Sequence, residues 1–241
     1  RVGLLLPGSG VDQVVSETAQ EQRRGVELAL AFVNELGGIG GRPVALVTAE
    51  GSGPTAVAGF TRLAERDDVL GVIGPTLSAD LAALAPVAQA RQTIDNISIV
   101  LNELGADLDD VVKLNTWYHG FGTDEDWRRA AKVRSDAFRF PGPGATGVPV
   151  PGTYPDGALL RQECWALRAT DGSRLPRSLS WPLGHWDWPM PVSFQQGIKV
   201  GDAIFLGGQV ALDPDGRTLS PDNREKQTEI VMESIRAILA G

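Results

Sequence analysis

The run Val2-Gly3-Leu4-Leu5-Leu6-Pro7-Gly8-Ser9-Gly10 sets the architecture of the N-terminal part of this 241-residue chain. A continuous apolar segment that ends in a Pro-Gly turn is typical of a strand covered on both faces. Apolar spacing and cap residues then predict, in order, a helix over 17–36, a strand over 44–47, a helix over 56–64, a strand over 69–73 and a helix over 78–90 that Ser78 caps. This order predicts a three-layer α/β segment, βαβαβα, around a parallel sheet with right-handed crossovers.

Two loops follow the first and third predicted strands, where open parallel sheets bind their ligands. They are Pro7-Gly8-Ser9-Gly10 and Gly74-Pro75-Thr76-Leu77-Ser78. Both offer backbone N–H groups and hydroxyls, and the second lies at a helix N-terminus, which attracts a carboxylate. Ser9, Thr76 and Ser78 are therefore candidate ligand-binding residues. The alternative is that these residues serve only as turns and caps.

Three groups of residues in this region follow one another at family spacing. They are Leu4 to Gly10, the set of Gly25, Ala29, Asn34 and Gly37 to Val44, and Val72 to Pro75. Residues 1–88 therefore resemble the N-terminal lobe of type I solute-binding proteins, the leucine/isoleucine/valine and amide receptors of ABC importers. The resemblance implies that a ligand carboxylate or amide is held at Thr76-Leu77-Ser78, in a cleft that a second lobe closes. Residues after 90 do not supply that lobe.

The composition excludes several classes of partner. With 30 acidic and 22 basic side chains, the formal net charge is −8 at pH 7, which argues against capture of nucleic acid or an anionic membrane. Cys164 is the single cysteine and only two histidines occur, so the sequence predicts no disulfide, no metal site and no cofactor. No window approaches the ~18 apolar residues of a membrane span. The chain begins at Arg1 without a Met or a signal sequence, so its N-terminus does not indicate the compartment. We expect a cytoplasmic protein; the alternative is a periplasmic protein whose signal peptide has been removed.

The remainder of the chain has a different pattern, which predicts an α+β module. The expected elements are a helix over 90–104, a strand over 111–117, a helix over 124–138, an edge strand over 146–150, a strand over 158–169, a hairpin of 194–200 with 203–212, and a helix over 224–240. Pro149 places 146–150 at a sheet edge because proline cannot donate to a ladder. Trp181, Trp186 and Trp188 lie in a Pro-rich connector and indicate either packing or an aromatic recognition surface.

Two segments of this module are similar to the RidA/YjgF family of enamine/imine deaminases, a chorismate-mutase-like fold. Residues 89–97 followed by 109–113 resemble the family's central helix and next strand, and residues 201–216 resemble its opening hairpin. In the family the hairpin comes first, whereas here it comes last. We therefore divide the chain into a partial solute-binding lobe (1–88), a RidA-like back half (89–170), a linker (171–190) and a RidA-like front half (191–241).

Two arrangements remain open for these reversed halves. They belong to a tandem pair of incomplete domains, or they close on each other as a circular permutant. Pairing of the strand over 203–212 with the strand over 159–169 within one chain would establish the closure.

The resemblance also implies a site. In the family, trimers bind a small acidic imine or enamine between subunits, an arginine clamps its carboxylate, and a glutamate positions water. Here the arginine position holds Ala145 and the glutamate position holds Arg161, with Glu163 on the same strand face. Arg161 and Glu163 are the candidate catalytic residues; the alternative is an ordinary solvated ion pair. The candidate substrate-binding residues of this module are Thr146, Phe194, Gly207 and Gln209.

Three functions follow from these observations. The first is a RidA-like small-molecule-binding or imine-hydrolysing module in which activity is weak or lost, and which is trimeric if the module closes. The second is a receptor for branched-chain amino acids or amides. The third is a non-enzymatic composite or recombined fragment. The expected partner is thus a small amino acid, amide or imine.

Overall fold

The computed structural model describes residues 1–153 and 155–241, except for the side chains of residues 54, 78, 129 and 130. The chain divides into two compact units, Arg1–Val87 and Ala88–Gly241. Each unit has its own sheets and its own buried clusters, so the two are described in turn.

The first unit contains a parallel sheet. Its strands are β1 (Val2–Leu6), β2 (Leu46–Glu50) and β3 (Val72–Ile73), in the order β2-β1-β3. Between and after them come α1 (Gln13–Glu35), α2 (Pro54–Ala64) and α3 (Ser78–Glu103), whose last part belongs to the second unit. Leu5, Leu63 and Leu84 form the buried core of this unit. The predicted parallel sheet is confirmed, and β1 has the predicted bounds.

The helices of this region differ from prediction in two ways. The sequence analysis divides residues 78–104 into two helices at Ala90, whereas α3 is continuous with Pro86 inside it. Apart from Pro86, nothing between 78 and 103 breaks a helix; Gly105, at a φ of 75°, is the first residue suited to end it. The helix α1 begins earlier than predicted because Asp12 caps it, its side chain accepting from the Val15 N–H at 2.9 Å.

The apolar spacing of α1 does not bury all of its large residues. Leu28, Phe32 and Leu36 are 74%, 61% and 73% exposed. The three-stranded sheet of the first unit, in which β3 has two residues, leaves this helix face uncovered.

The second unit contains two further sheets. In the first, β4 (Val111–His119) lies between β5 (Gly144–Val150), to which it is parallel, and β6 (Leu160–Ala166), to which it is antiparallel. In the second, β7 (Arg177–Ser180), β8 (Gly197–Val200) and β9 (Ala203–Leu206) form an antiparallel meander. Two helices complete the unit, α4 (Asp124–Asp136) and α5 (Arg224–Ala240). The edge position predicted for β5 is confirmed.

The two segments that the sequence analysis compares with the RidA family contact each other within the chain. Phe138 and Phe194, one from each segment, share a buried cluster with Leu114 and Ala145. Three backbone hydrogen bonds of 2.9–3.1 Å join residues 142–145 to residues 193–208, from Gly142 N to Ser193 O, from Gln195 N to Pro143 O, and from Gly208 N to Ala145 O. We call this contact the seam. The pairing of 203–212 with 159–169 does not occur among the described residues, since β9 pairs with β8 and β6 with β4.

The segment expected to be a linker contributes to the second unit. Residues 177–180 form β7, which pairs with β8. Trp186 is 2% exposed, and Trp188 stacks on Trp127 with ring centroids 5.7 Å apart. Of the two interpretations of the tryptophans, packing therefore applies to Trp186 and Trp188, because burying large aromatic rings contributes strongly to a core.

Candidate functional site

The first unit brings three loops together at the carboxyl edge of its parallel sheet. The loop after β1 is joined to the loop after β2, because Gly8 N–H donates to Ser52 Oγ at 3.0 Å. The loop after β2 is joined to α3, because Gly53 N–H donates to Asp80 Oδ1 at 2.6 Å. The loop after β3 is joined to α1, because Thr76 Oγ1 donates to Gln22 Oε1 at 2.7 Å. These hydrogen bonds therefore tie the loops at the predicted ligand position to one another and to the neighbouring helices, and together they form a polar surface.

The predicted binding residues of this edge have different environments. Ser9 is exposed and Thr76 is half-buried. Since the Thr76 hydroxyl donates to Gln22, its oxygen still has capacity to accept a hydrogen bond. Ser78 is the first residue of α3, and its side chain lies outside the described residues.

Asp80 is a functional candidate that the sequence analysis missed. Its side chain lies in the first turn of α3 and is 3% exposed. Oδ1 accepts the Gly53 N–H, whereas Oδ2 is buried and has no hydrogen-bond partner among the described residues. A buried carboxylate oxygen without a donor is costly, which marks this atom as a place for a ligand N–H or a water.

The second unit has a half-buried amine at the seam. Lys113, on β4, donates from Nζ to Thr146 Oγ1 at 2.6 Å and to Leu206 O at 2.5 Å. Burial lowers the pKa of Lys113 from 10.5 to about 8. Both acceptors are neutral, so these contacts supply no negative charge to offset the cost of burying the ammonium. The predicted substrate-binding residue Thr146 therefore accepts a hydrogen bond from this lysine.

A second polar group at the seam contains the predicted residue Gln209. Its Nε2 donates to Gln196 Oε1 at 2.8 Å, and its Oε1 is 2.9 Å from His185 Nε2. Gln196 is fully buried and donates in turn to the carbonyl of Trp186 at 3.2 Å. This series of hydrogen bonds orients the His185 ring.

Two other predicted binding residues, Phe194 and Gly207, are engaged in contacts within the fold. Phe194 is 2% exposed and packs against Phe138 and Trp188. Gly207 N–H donates to Gln196 O at 2.7 Å, and a Cβ at position 207 would lie 2.8 Å from Gln195 O. Phe194 therefore packs across the seam, whereas Gly207 allows a close backbone contact within residues 195–207.

The candidate catalytic pair lies on the exposed face of β6. Arg161 is placed over the Trp117 ring at 5.7 Å, and Glu163 Oε1 accepts from Asn115 Nδ2 at 2.9 Å. Each side chain thus contacts its cross-strand neighbour on β4, and the described residues include no ion pair between the two. On the opposite face of β6, burial raises the pKa of the Cys164 thiol, which keeps it protonated near neutral pH.

In the described part of the chain, the histidine, cysteine, aspartate and glutamate side chains form no group of three or more suited to hold a metal ion. None of the helices in this part has the length and apolarity that a membrane crossing requires.

Comparison with known proteins identifies both parts of the chain. The sequence model of a periplasmic binding protein family matches residues 1–136. The C-terminal part is similar to RutC family proteins, with 40% identity over 52 residues to relatives from Saccharolobus solfataricus and Pyrococcus abyssi, and 36% to one from Pyrococcus horikoshii. Each match covers 21% of this chain, and the chain spans 41% of the length of these relatives.

These findings confirm the composite resemblance predicted from the sequence. The binding-protein match extends beyond the predicted residue 88 to residue 136. Since it covers more than half of the 241 residues, the chain belongs to the periplasmic binding protein family and carries a C-terminal part similar to RutC/RidA proteins.

Proposed function

We propose that the first unit binds a small amino acid or amide at the carboxyl edge of its parallel sheet. The buried Asp80 carboxylate carries the proposal, because its Oδ2 has no donor among the described residues. An ammonium or amide N–H of a ligand would satisfy this oxygen and offset the cost of its burial. Membership of the periplasmic binding protein family supports binding of a small molecule. The resemblance of residues 1–88 narrows the proposal to amino acids and amides.

The N-terminus of α3 supplies the complementary half of the site. Its free N–H groups and positive dipole end favour a carboxylate or a carbonyl oxygen. Thr76 lies two residues before the first residue of the helix, fixed by Gln22 with capacity left to accept a hydrogen bond. A ligand with an amino or amide nitrogen near a carboxyl or carbonyl oxygen matches this arrangement. A periplasmic location fits this function.

Calorimetry with leucine, valine and short amides tests the proposal. Asp80→Asn keeps an oxygen for the Gly53 N–H but replaces the second acceptor with a donor, so we expect at least tenfold weaker binding. Thr228→Val is the control, since the Thr228 hydroxyl is bonded within α5 to Arg224 O. Absence of heat with the wild-type protein at millimolar ligand would exclude the proposal.

The second candidate function is a RidA-like imine or enamine hydrolase in residues 88–241. The seam and the RutC relatives favour it, because the seam joins the two segments and 52 residues of the chain are 40% identical to a RutC family protein. The carboxylate-clamp position holds Ala145, which is 5% exposed, so we expect little ammonia release from freshly generated iminopropionate. Fast release would contradict this expectation.

The same candidate assigns catalysis to Arg161 and Glu163 and predicts a trimer. Glu163→Gln is expected to lower any measurable rate, whereas Glu225→Gln, on the exposed start of α5, is the matched control. Static light scattering tests the trimer, and a monomer would contradict it.

A further inference from the structure

A small cavity in the second unit is lined by guanidinium groups. It has a volume of about 210 Å³ and lies beside the start of β4, the segment after α4, and β7. Three arginines line it together with one carboxylate and two aromatic rings: Arg139, Arg174, Arg177, Asp109, Phe138 and Phe140. It shares no residue with the Lys113 or Gln209 groups described above.

The carboxylates around this cavity are hydrogen-bonded to Arg174 and Arg168. Arg174 donates to Asp107, Asp109 and Asp110 at 2.7–3.3 Å. Asp110 is fully buried and also accepts from Arg168 at 2.8 Å. These contacts link two arginines to three carboxylates.

Among the described residues, Arg177 forms no hydrogen bond or ion pair with any of these three carboxylates. Its hydrogen bond among the described residues goes to the backbone carbonyl of Asp109. The guanidinium is half-buried, and this burial lowers the pKa of Arg177. With Arg139, the cluster holds four guanidiniums and three carboxylates, so it has one positive charge in excess. A partly desolvated guanidinium with free N–H donors is suited to a bidentate oxyanion.

Arg139 provides a second donor at the cavity mouth. It is 86% exposed at its side chain and makes one ion pair, from Nη1 to Asp109 Oδ2 at 3.2 Å. A surface pair of this kind contributes ~0–1 kcal/mol, so the side chain is free to turn toward an anion in the cavity.

The size and the apolar wall restrict the class of anion. A water occupies ~30 Å³ in the liquid, so the cavity has room for about seven waters, or for a ligand with a similar number of heavy atoms. Phe138, Phe140 and Pro141 form an apolar part of the wall, which suits a short hydrocarbon chain better than a fully hydrated inorganic ion. We propose that this cavity binds a short-chain carboxylate, with Arg177 and Arg139 holding the carboxylate and the phenylalanines contacting the carbon chain.

Titration of the full chain with butyrate, butyramide and inorganic phosphate, followed by amide NMR shifts, tests the proposal. We expect butyrate to saturate at millimolar concentration and to shift Phe140 and Gly142, with butyramide at least tenfold weaker and phosphate weaker than butyrate. Equal binding of butyramide, or phosphate binding as tightly as butyrate, would overturn it.

Variants locate the site. Arg177→Gln is expected to weaken butyrate binding at least tenfold and Arg139→Gln severalfold. Because Arg177 lies on β7 and its replacement can disturb folding, the exposed Arg139 provides the second, independent test. Arg217→Gln is the control, since Arg217 is 75% exposed and pairs with Asp215. Unchanged affinity in both cavity variants would refute the assignment. A leucine titration of the same variants keeps this test separate from ligand binding by the first unit.

Discussion

Phe138 and Phe194 provide the sharpest energetic test of the seam. They come from the two segments whose order is reversed, they are 6% and 2% exposed, and their ring centroids lie 6.5 Å apart at 57°. Replacing either ring with leucine is expected to cost about 1–2 kcal/mol of the free energy of unfolding. Aromatic pairs in this geometry contribute ~0.5–1.5 kcal/mol beyond burial. We therefore expect the double variant to show a coupling of about 1 kcal/mol.

Urea unfolding followed by tryptophan fluorescence measures this coupling, because Trp188 lies 6.5 Å from the Phe194 ring. Val200, which packs in a separate buried cluster of the second unit, provides the control pair with Phe194, since all six tryptophans lie in that unit. Sites without shared partners add within about 0.3–0.5 kcal/mol. A Phe138/Phe194 coupling no larger than this control would refute the contact. A midpoint that rises with protein concentration would show that the contact forms between chains.

Three further outcomes follow from the second unit. The pKa of Lys113 is about 8 in the folded protein and 10.5 ordinarily, so the unfolded chain binds more protons between these pH values. The free energy of unfolding should therefore rise with pH across this window by up to about 3 kcal/mol. Urea titrations should show a smaller rise for Lys113→Met. Gly207→Ala should destabilise the fold by ~1–3 kcal/mol, because its Cβ would lie 2.8 Å from Gln195 O, whereas Gly152→Ala, with open space around it, should be neutral in the same assay. Cys164 should react with iodoacetamide much more slowly in the native protein than in urea, as followed by mass spectrometry, and equal rates would contradict its burial.

The elements that the sequence predicts well are those with strong local signals. The run Val2 to Leu6 is apolar at every position but Gly3, and β1 has these bounds. Asp124, Glu125 and Asp126 open a helix, and α4 begins at Asp124 behind a capping box with Thr123. Helix α5 also has the predicted bounds, since Asn223 caps it at the predicted start.

The candidate sites depend on contacts that local patterns do not contain. Lys113 lies in an apolar strand, and one of its acceptors, Leu206 O, is 93 residues away in sequence. Asp80 has the pattern of an ordinary first-turn acid. That its Oδ2 has no partner among the described residues follows only from the fold, in which the loop carrying Gly53 contacts Oδ1. The sequence did contain one signal for this site. Asp80 is an acidic residue close to the predicted loop at Thr76, and a carboxylate there is a natural partner for a ligand amine. β7 was missed because Pro and Trp around residues 177–180 favour a connector.

The central claim is that the reversed segments close on each other within a single chain. Gly208 and Thr146 test it most directly, because a Cβ atom added to Gly208 would lie 3.0 Å from Thr146 Cγ2. The measurement is the NOE between the Gly208 α-protons and the Thr146 methyl group, recorded on uniformly labelled protein and on a mixture of differently labelled chains with isotope filtering. The account predicts a strong NOE in the uniform sample that is absent from the interchain spectrum of the mixture. An NOE that appears between chains, or in neither sample, would contradict closure within one chain.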